Sequence, residues 1–369
     1  MAILVIADDL TGAAEISGIA WRYGLSVEIV HSLAEPTTKE IRVLNTNTRS
    51  LKADEVIPHL RMLLATDHAE QWDWIYLKFD SALRGHIVTE ISFYRLAFQK
   101  DNVFFCPVNL SLDRIIRNGE YWVEGKPIAD TDFARDPEFP IQRSSVLEAI
   151  GAAAWELAEE VPTKPDKDQP FTVAAVANKE ALNRWATLPT AWGLYAGAAA
   201  FFEALLDRQI GGFSKDRTVG PLPRPPLFYV CGSNHIDSVQ RVKSLDPEAV
   251  VYWQQVGQED QLANLICEKM NKKGKVVLAV EPSRPVKAHT VRQSMARVVT
   301  QVEQSCGGHE LLIEGGATAR AVLEALQIHT LLPVWEYEQG VLRTVVPERT
   351  VRITLKPGSY PWAEKLWMF

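Results

Sequence analysis

The 369-residue sequence lacks the long apolar runs that a membrane protein needs. No stretch approaches the roughly 18 consecutive apolar residues that carry a helix across a bilayer. The chain begins on a strand-like pattern, with neither a basic leader nor a small-residue cleavage site, so we expect no secretion and a cytoplasmic location. We therefore expect no membrane partner.

Cysteine and histidine are scarce, and neither forms a metal-binding pattern. The eight histidines make no His-Glu-x-x-His motif, and the four cysteines lack the paired spacing of zinc ligands. The cysteines are Cys106, Cys231, Cys267 and Cys306. We expect buried free thiols in a reducing compartment and no metal held by protein side chains.

A concentrated basic charge is missing as well. The formal net charge is −7, and the arginines are dispersed along the chain. Binding to a nucleic-acid backbone requires a clustered basic surface. We therefore expect no nucleic-acid partner.

The chain has the composition of a globular protein and the alternating strand and helix patterns of an α/β protein. Apolar residues make up 47% and charged residues 23% of the sequence, as in ordinary globular domains. Apolar strand patterns alternate with helical ones, which predicts mainly parallel sheets. The predicted strands are Ile3–Ile6, Val27–Val30, Arg42–Leu44, a strand ending at Leu77, Asn102–Cys106, Phe171–Val176, Leu227–Cys231 and Leu311–Glu314, and the predicted helices are Ala13–Tyr23, Ala53–Ala65 and Ala319–Leu326. The Ala-rich segment Trp192–Leu206 is predicted to be a helix, or a loop interrupted by glycine and then a helix.

A stretch rich in glycine and proline, Gly211–Pro226, divides the chain. Such a segment is extended and stiff, and it cannot lie in a central strand. A chain of this length also exceeds one ordinary hydrophobic core. We predict two α/β domains, residues 1–215 and 216–369, with a cleft between them.

Two carboxylates follow the first predicted strand. That strand leads through Asp8 and Asp9 into Thr11 and Gly12, at the start of a helical pattern. Ligands of open α/β sheets bind at the carboxyl ends of the strands, so the pair is a candidate for chemistry. The alternative is that Asp9 only caps a helix beginning near Leu10, with Asp8 in solvent.

Charged and polar side chains also follow the strand that ends at Leu77. They are Lys78, Asp80, Ser81 and Arg84. Arginine and lysine suit a carboxylate or a phosphate, so this segment predicts an anion site with an acid beside it. The alternative is an i,i+4 helical pair of Asp80 and Arg84, with Lys78 extending to solvent.

Both segments resemble the N-terminal signatures of the four-carbon acid sugar kinases. The matching runs are Ala-Asp-Asp-Leu-Thr-Gly-Ala at 7–13 and Lys-Phe-Asp-Ser-Ala-Leu-Arg-Gly at 78–85, and 45–49 is similar to the family's Asn-Thr-x-x-Arg element. Further similarity lies at 106–108, 114, 119–123, 131–137, 315–319 and 356–358. The resemblance covers both halves of the chain. It implies a kinase that uses ATP to phosphorylate a threonate- or erythronate-like acid.

For such a kinase, a carboxylate takes the proton of the attacking hydroxyl, and catalysis is otherwise positioning and charge stabilisation. The first candidate for this base is Asp80, and Asp8 or Asp9 is the second.

The remaining candidates at the N-terminal site would bind the substrate. Arg84 and Lys78 would hold the carboxylate or the transferring phosphoryl group, with Arg49 as a supporting anion ligand. Asn45 and Ser81 would bind hydroxyl groups, because each can pair with a group that both donates and accepts.

The second half contains two junctions in which a strand passes through glycine into a helix, one after Cys231 and one after Glu314. Neither a P-loop nor the common dinucleotide fingerprint is present. Glycine allows close approach of a ligand, and the N–H groups at a helix start attract phosphate; the alternative is two tight turns. The resemblance implies that these loops and a late Lys-x-Gly-Gly turn bind ATP, with Mg²⁺ accompanying the nucleotide. The implied ligands are Ser233, Gly315, Gly316, Ala317, Thr318 and Gly358.

These loops depart from the family pattern at three positions. Ala317 stands where an acidic residue is usual, His235 stands near the second serine of the first loop, and Ser359 replaces the second glycine of the late turn. Two other functions therefore stay open: a non-catalytic sensor of sugar acids, and a hydroxy-acid dehydrogenase, which the missing dinucleotide fingerprint disfavours. The expected partners are a sugar acid and ATP, and the sequence leaves open whether the protein is a homo-oligomer.

Overall fold

The computed structural model describes residues 1–64, 72–136, 138–213, 221–233, 236–281, 287–358, 362–367 and 369. They cluster into two compact units. The N-terminal unit contains Met1–Ile16, Tyr23–Ser26 and His31–Ser214, and the C-terminal unit contains Ser17–Arg22, Val27–Val30 and Lys215–Phe369. Residues 214–220 of the predicted boundary lie outside the described part of the chain.

Strands and helices alternate through most of the described sequence. The strands are β1 (Ile3–Ala7), β2 (Val27–Val30), β3 (Ile41–Asn45), β4 (Trp74–Lys78), β5 (Asn102–Cys106), β6 (Arg114–Arg117), β7 (Glu120–Val123), β8 (Lys126–Pro127), β9 (Glu156–Ala158), β10 (Phe171–Ala174), β11 (Gly193–Gly197), β12 (Leu227–Cys231), β13 (Val250–Trp253), β14 (Lys275–Val280), β15 (Glu310–Glu314), β16 (Thr330–Glu338), β17 (Val341–Val345) and β18 (Arg352–Lys356). The helices are α1 (Leu10–Arg22), α2 (Ala53–Leu64), α3 (Ile87–Ala97), α4 (Val146–Ala149), α5 (Lys179–Trp185), α6 (Ala199–Ile210), α7 (Ile236–Lys243), α8 (Glu259–Lys273), α9 (Ala288–Cys306) and α10 (Gly316–Ala325). This mixture confirms the predicted α/β class.

The N-terminal unit is built on a parallel sheet in the order β3-β1-β4-β11-β5-β10-β9. The strands β1, β3, β4 and β5 are buried along their whole length. Burial on both faces explains why they are nearly continuous apolar runs. A small antiparallel sheet of β6, β7 and β8 adds to this unit.

The prediction for Trp192–Leu206 was incomplete, because this segment begins with a central strand. Strand β11 pairs with β4 and β5, and α6 follows it. Its terminal glycines permit this packing: a Cβ at Gly193 would overlap the Asn102 carbonyl, and one at Gly197 would overlap that of Cys106. Glycine and alanine give a strand pattern little signal, although here they allow the backbones to approach closely.

The C-terminal unit also contains a mainly parallel sheet. Strands β13, β14, β12, β15 and β18 are parallel in that order. Strands β17, β16 and β2 continue the sheet in antiparallel pairing. The N-terminal segment β2 therefore belongs to the sheet of this unit.

The prediction of four free cysteines was wrong for two of them. Cys106 and Cys231 are buried free thiols, whereas Cys267 and Cys306 form a disulfide bond. The pair joins α8 to the last residue of α9, and these two helices pack against each other. A sequence separation of 39 residues gave no local signal for this pairing.

Among the helices that the structure describes, none is long and apolar enough to span a membrane.

Candidate functional site

Three strands of the N-terminal unit end level with one another at one edge of the sheet. Ala7 of β1 pairs in register with Asn45 of β3 and with Lys78 of β4. In a parallel sheet, residues in register point to the same face. The polar residues that follow these strands, beginning with Asp8, therefore collect at the carboxyl edge, where ligands of such sheets bind.

Asp8 is held by Arg49, which lies on a short 3₁₀ turn after β3. Arg49 Nε donates to Asp8 Oδ2 at 2.9 Å and Nη2 donates to Oδ1 at 2.6 Å. The backbone N–H of Arg49 also donates to the Asp8 carbonyl at 3.2 Å. Asp8 is only 1% exposed, so the alternative of a solvated Asp8 is excluded.

Asp9 caps the first helix and also pairs with Arg49. Its Oδ1 accepts from the Gly12 N–H at 2.8 Å, and its Oδ2 accepts from the Thr11 hydroxyl. Arg49 Nη1 lies 2.9 Å from Asp9 Oδ2. The capping interpretation therefore holds for Asp9, which in addition shares its cation with Asp8.

The pKa values of the two neighbouring carboxylates are shifted in opposite directions. Burial raises the pKa of Asp8 to about 6, with Arg49 acting against the shift and Asp9 adding to it. Burial also acts to raise the pKa of Asp9, but Arg49 and the Thr11 hydroxyl outweigh it and hold that pKa below its usual value. Of the two, Asp8 is thus the carboxylate whose pKa lies nearer the neutral pH at which a general base acts.

Asp80 and Arg84 form an ion pair at 2.5 Å in the turn between β4 and α3, not in a helix. Arg84 also reaches Asp136, with Nη1 3.4 Å from Oδ2. Burial acts to raise the pKa of Asp80, but Arg84 and Arg49 outweigh it and hold that pKa well below its usual range. Asp80 therefore remains a carboxylate with low proton affinity.

Lys78 and Asn45 are both buried at this edge of the sheet, with exposures of 4% and 2%. Lys78 Nζ donates to the Phe79 carbonyl at 3.0 Å and lies 3.3 Å from Glu15 Oε2 of α1. Neither amide atom of Asn45 has a hydrogen-bond partner among the described residues. A buried amide without partners costs free energy unless a ligand or water satisfies it.

Ser81 connects the site to the small antiparallel sheet. Its hydroxyl accepts a hydrogen bond from Arg114 Nη1 at 2.6 Å. The Tyr121 hydroxyl lies 2.6 Å from the Ser81 carbonyl and 2.9 Å from that of Pro107, and it can donate to either. The guanidinium carbons of Arg84 and Arg114 lie 5.8 and 5.1 Å from the centre of the Phe133 ring.

Several residues of this cluster received no role from the sequence. They are Glu15, Glu90, Arg114, Phe133 and Asp136. Glu90 is 1% exposed on α3, where burial, with Asp8 adding to it, raises its pKa well above the usual value. A signal was present for Glu90, because it shares an apolar helical face with Ile87 and Tyr94. The others depend on contacts between distant segments.

The C-terminal unit brings its predicted loop residues together. Cys231, Glu314 and Lys356 lie in register at the ends of β12, β15 and β18. A Cβ at Gly358 would lie 3.2 Å from Ser233 Oγ and 3.8 Å from Gly315 Cα. The three loops therefore converge, although His235 and residues 359–361 lie outside the described residues.

Helix α10 starts at this convergence. Gly315 has a positive φ of 96° and offers no side-chain cap. The first N–H groups of a helix have no intrahelical acceptor; here they belong to Gly316, Ala317 and Thr318. Gly232 has a packing role, because a Cβ there would overlap the Thr318 hydroxyl. An uncapped helix start beside converging glycines fits a phosphate group.

The buried carboxylate of Glu314 helps to hold these loops in place. Glu314 Oε1 accepts from Lys356 Nζ at 2.8 Å and from the Ser238 hydroxyl, and Oε2 accepts from Trp362 Nε1 at 2.8 Å. Glu314 and Lys356 are each 1% exposed in their side chains. Burial lowers the pKa of Lys356, and Glu314 acts against that shift. This network holds the ends of β15 and β18 together.

Within the described ranges, no group of three or more His, Cys, Asp or Glu side chains is arranged to hold a metal ion.

Comparison with known proteins gives a family match and several relatives. The model of the sugar-binding N-terminal domain matches residues 3–204, more than half of the chain. The D-threonate kinase of Bordetella bronchiseptica is 32% identical over 157 residues, 40% of this chain and 39% of that protein. The D-threonate kinase of Salmonella typhimurium is 27% identical over 165 residues, 44% of this chain and 38% of that protein. The matched segments thus span less than half the length of these relatives.

A solved structure shares the fold. Protein HI1011 of Haemophilus influenzae, of the DUF1537 family, aligns with a TM-score of 0.74 at 17% identity, over 99% of this chain and 98% of that one. At such identity the likeness shows the fold alone. The family model carries the assignment, and it covers the half of the chain that contains the Asp8 and Asp80 segments. The chain belongs to the family of the sugar-binding N-terminal domain, in agreement with its resemblance to the four-carbon acid sugar kinases.

Proposed function

We propose that this protein transfers a phosphoryl group from ATP to a hydroxyl of a four-carbon sugar acid. The observation that carries this proposal is the cluster of Asp8, Arg49, Asp80 and Arg84 at the carboxyl edge of the N-terminal sheet. It lies within the segment matched by the sugar-binding domain. The name of the two kinase relatives supports a threonate-like acid as the substrate.

Asp8 is the proposed base that takes the proton of the attacking hydroxyl. Its pKa of about 6 suits proton transfer near neutral pH, whereas Arg84 leaves Asp80 with low proton affinity. A Cβ at Gly85 would lie 3.0 Å from Asp8 Oδ2, so a residue without a side chain fits best beside that oxygen. In this assignment Asp80 orients Arg84 instead of accepting the proton.

Asn45 is the proposed ligand of a substrate hydroxyl. Its amide donates and accepts, and both atoms are buried without a partner among the described residues, as expected for a group whose partner is the substrate. Arg49, Lys78 and Arg84 already contact carboxylates of the protein. We assign them to orienting those carboxylates and to balancing the charge that develops in the transition state.

The C-terminal loops are the proposed nucleotide site. Ser233, Gly315 and Gly358 converge beside the start of α10, whose N–H groups at Gly316, Ala317 and Thr318 can donate to phosphate oxygens. ATP bound with Mg²⁺ would supply the phosphoryl group and neutralise part of its charge. The Glu314–Lys356 pair would keep the loops in place.

A coupled assay of ADP release tests the proposal. The purified protein is incubated with MgATP and each of D- and L-threonate and D- and L-erythronate, with the corresponding tetritols as controls. We expect ADP release with at least one acid, together with a phosphorylated acid in the mass spectrum. ADP release that does not depend on any acid would refute the kinase assignment.

A sensor of sugar acids is the second candidate, and Ala317 favours it. An alanine at a position where the family usually has an acidic residue removes a carboxylate from the nucleotide loops. For a sensor, calorimetry would detect binding of an acid, and the coupled assay would detect no ADP release with any acid. The two measurements on the same panel separate a sensor from a kinase.

A further inference from the structure

The positive charges assigned to the N-terminal site are already paired with carboxylates of the protein. Arg49 pairs with Asp8 and Asp9, Lys78 with Glu15, and Arg84 with Asp80 and Asp136, so three cations face five carboxylates. An acidic ligand entering such a cluster meets more negative than positive side chains. Binding a carboxylate here requires a cation outside these pairs.

Arg114 is such a cation. It is the first residue of β6, and it is part-buried. Among the residues that the structure describes, no carboxylate is ion-paired with it, and its buried Nε has no hydrogen-bond partner. Its Nε–H is thus a donor that no group among the described residues accepts from.

Two contacts hold the Arg114 guanidinium in place. Nη1 donates to Ser81 Oγ at 2.6 Å, and the guanidinium carbon lies 5.1 Å from the centre of the Phe133 ring. The same ring lies 5.8 Å from the guanidinium carbon of Arg84. An arginine fixed in this way loses little side-chain freedom when it binds a planar anion.

We propose that Arg114 binds the carboxylate of the acid ligand and selects acids over neutral polyols at this site. The inference rests on the proposed sugar-acid substrate. The Nε–H and a second N–H of a guanidinium match the two oxygens of a carboxylate. Ser81 and Phe133 are positioning residues, because each acts through the Arg114 side chain.

The test compares two variants that remove one charge from the same strand. Arg114→Gln removes the proposed ligand. Arg117→Gln is the matched control, because Arg117 is exposed and lies over the Trp122 ring, 4.2 Å from its centre. Binding of threonate, erythronate and their neutral amides is measured by calorimetry without nucleotide, and circular dichroism checks the fold.

We expect the wild type to bind the best acid at least ten times more tightly than its amide. Arg114→Gln should weaken binding of that acid by about ten- to hundredfold, the range for a lost hydrogen bond to a charged group. Its affinity for the amide should be unchanged, and Arg117→Gln should bind both ligands like the wild type.

The inference would be overturned if Arg114→Gln and Arg117→Gln bound the acid with equal affinity, or if the wild type bound the acid and its amide with equal affinity. It would also be overturned if Arg114→Gln lost affinity for the acid and for the amide to the same extent. Should Arg114→Gln fail to fold, Arg114→Lys replaces it. Lysine keeps the charge and loses the paired donors, so its affinity for the acid must still fall severalfold.

ADP release by the wild type, measured in parallel, separates this inference from the proposed function. Acid binding through Arg114 without ADP release supports the inference and refutes the kinase. If Arg114→Gln releases ADP at the wild-type rate at low acid concentration, the inference is refuted and the proposed kinase activity is not. A wild type that binds none of the acids refutes both.

Discussion

Arg49 donates to both carboxylate oxygens of Asp8, at 2.9 and 2.6 Å, and its third nitrogen lies 2.9 Å from Asp9. One guanidinium therefore serves two adjacent carboxylates that have different environments. Asp8 is buried and its pKa is raised to about 6, whereas Asp9 caps a helix and its pKa is lowered. The difference assigns different tasks to two neighbouring residues of one type.

The first prediction separates the two candidate bases with isosteric variants. Asp8→Asn should lower kcat by about 10²–10⁴-fold, as expected for loss of a general base, with little change in the affinity for the acid. Asp80→Asn releases Arg84 from its ion pair and should act mainly on KM. Steady-state kinetics of both variants provide the measurement; a loss of kcat confined to Asp80→Asn would move the base to Asp80.

The second prediction concerns the acid side of the pH profile. A base must be deprotonated to accept a proton, so kcat/KM should fall as the pH decreases through about 6, the pKa of Asp8. The charged groups that influence Asp8 are Arg49, Asp9, Lys78 and Glu90. Were Asp80 the base, its lowered pKa would place this fall below the usual titration range of an aspartate. Acid binding measured over the same pH range is the control.

The third prediction tests the nucleotide loops. Gly358→Val places a branched side chain 3.2 Å from Ser233 Oγ, where the three loops converge, and should lower ATP affinity at least tenfold. Gly212→Val is the control, because a Cβ there meets no atom of the described residues within 4 Å. Calorimetry with a non-hydrolysable ATP analogue gives the affinity. Normal nucleotide binding by Gly358→Val would remove these loops from the site, provided acid binding shows that the variant is folded.

The fourth prediction addresses the division of the chain. Limited proteolysis should cut within residues 211–224, because exposed linkers rich in glycine and proline are preferred sites of cleavage. The two fragments should elute together, because β2 of the N-terminal fragment pairs with β16 of the C-terminal unit. Size-exclusion chromatography before and after denaturation provides the measurement. Fragments that separate without denaturant would contradict this pairing.

Local sequence was sufficient for much of the fold. The parallel strands β1, β4, β5, β12 and β15 are nearly continuous apolar runs because both of their faces are buried. Strand β11 was not predicted because its glycines give no apolar strand pattern. Gly193 and Gly197 are needed where the backbone of β11 approaches β5. The requirement comes from a neighbouring strand almost a hundred residues earlier, and no local pattern contains it.

The same distinction applies to the site. The residue types that follow each strand are visible in the local sequence, which therefore predicts Asp8, Asp80, Arg84 and the glycine loops. Which charges pair with one another depends on the folded chain. Arg84 meets Asp136, and Cys267 meets Cys306, across separations that a local pattern does not span. Because Coulomb energy and desolvation depend on distance and burial in three dimensions, the raised pKa of Asp8 emerges only when the chain is folded. The same holds for Arg114, which has no ion-pair partner within the described ranges.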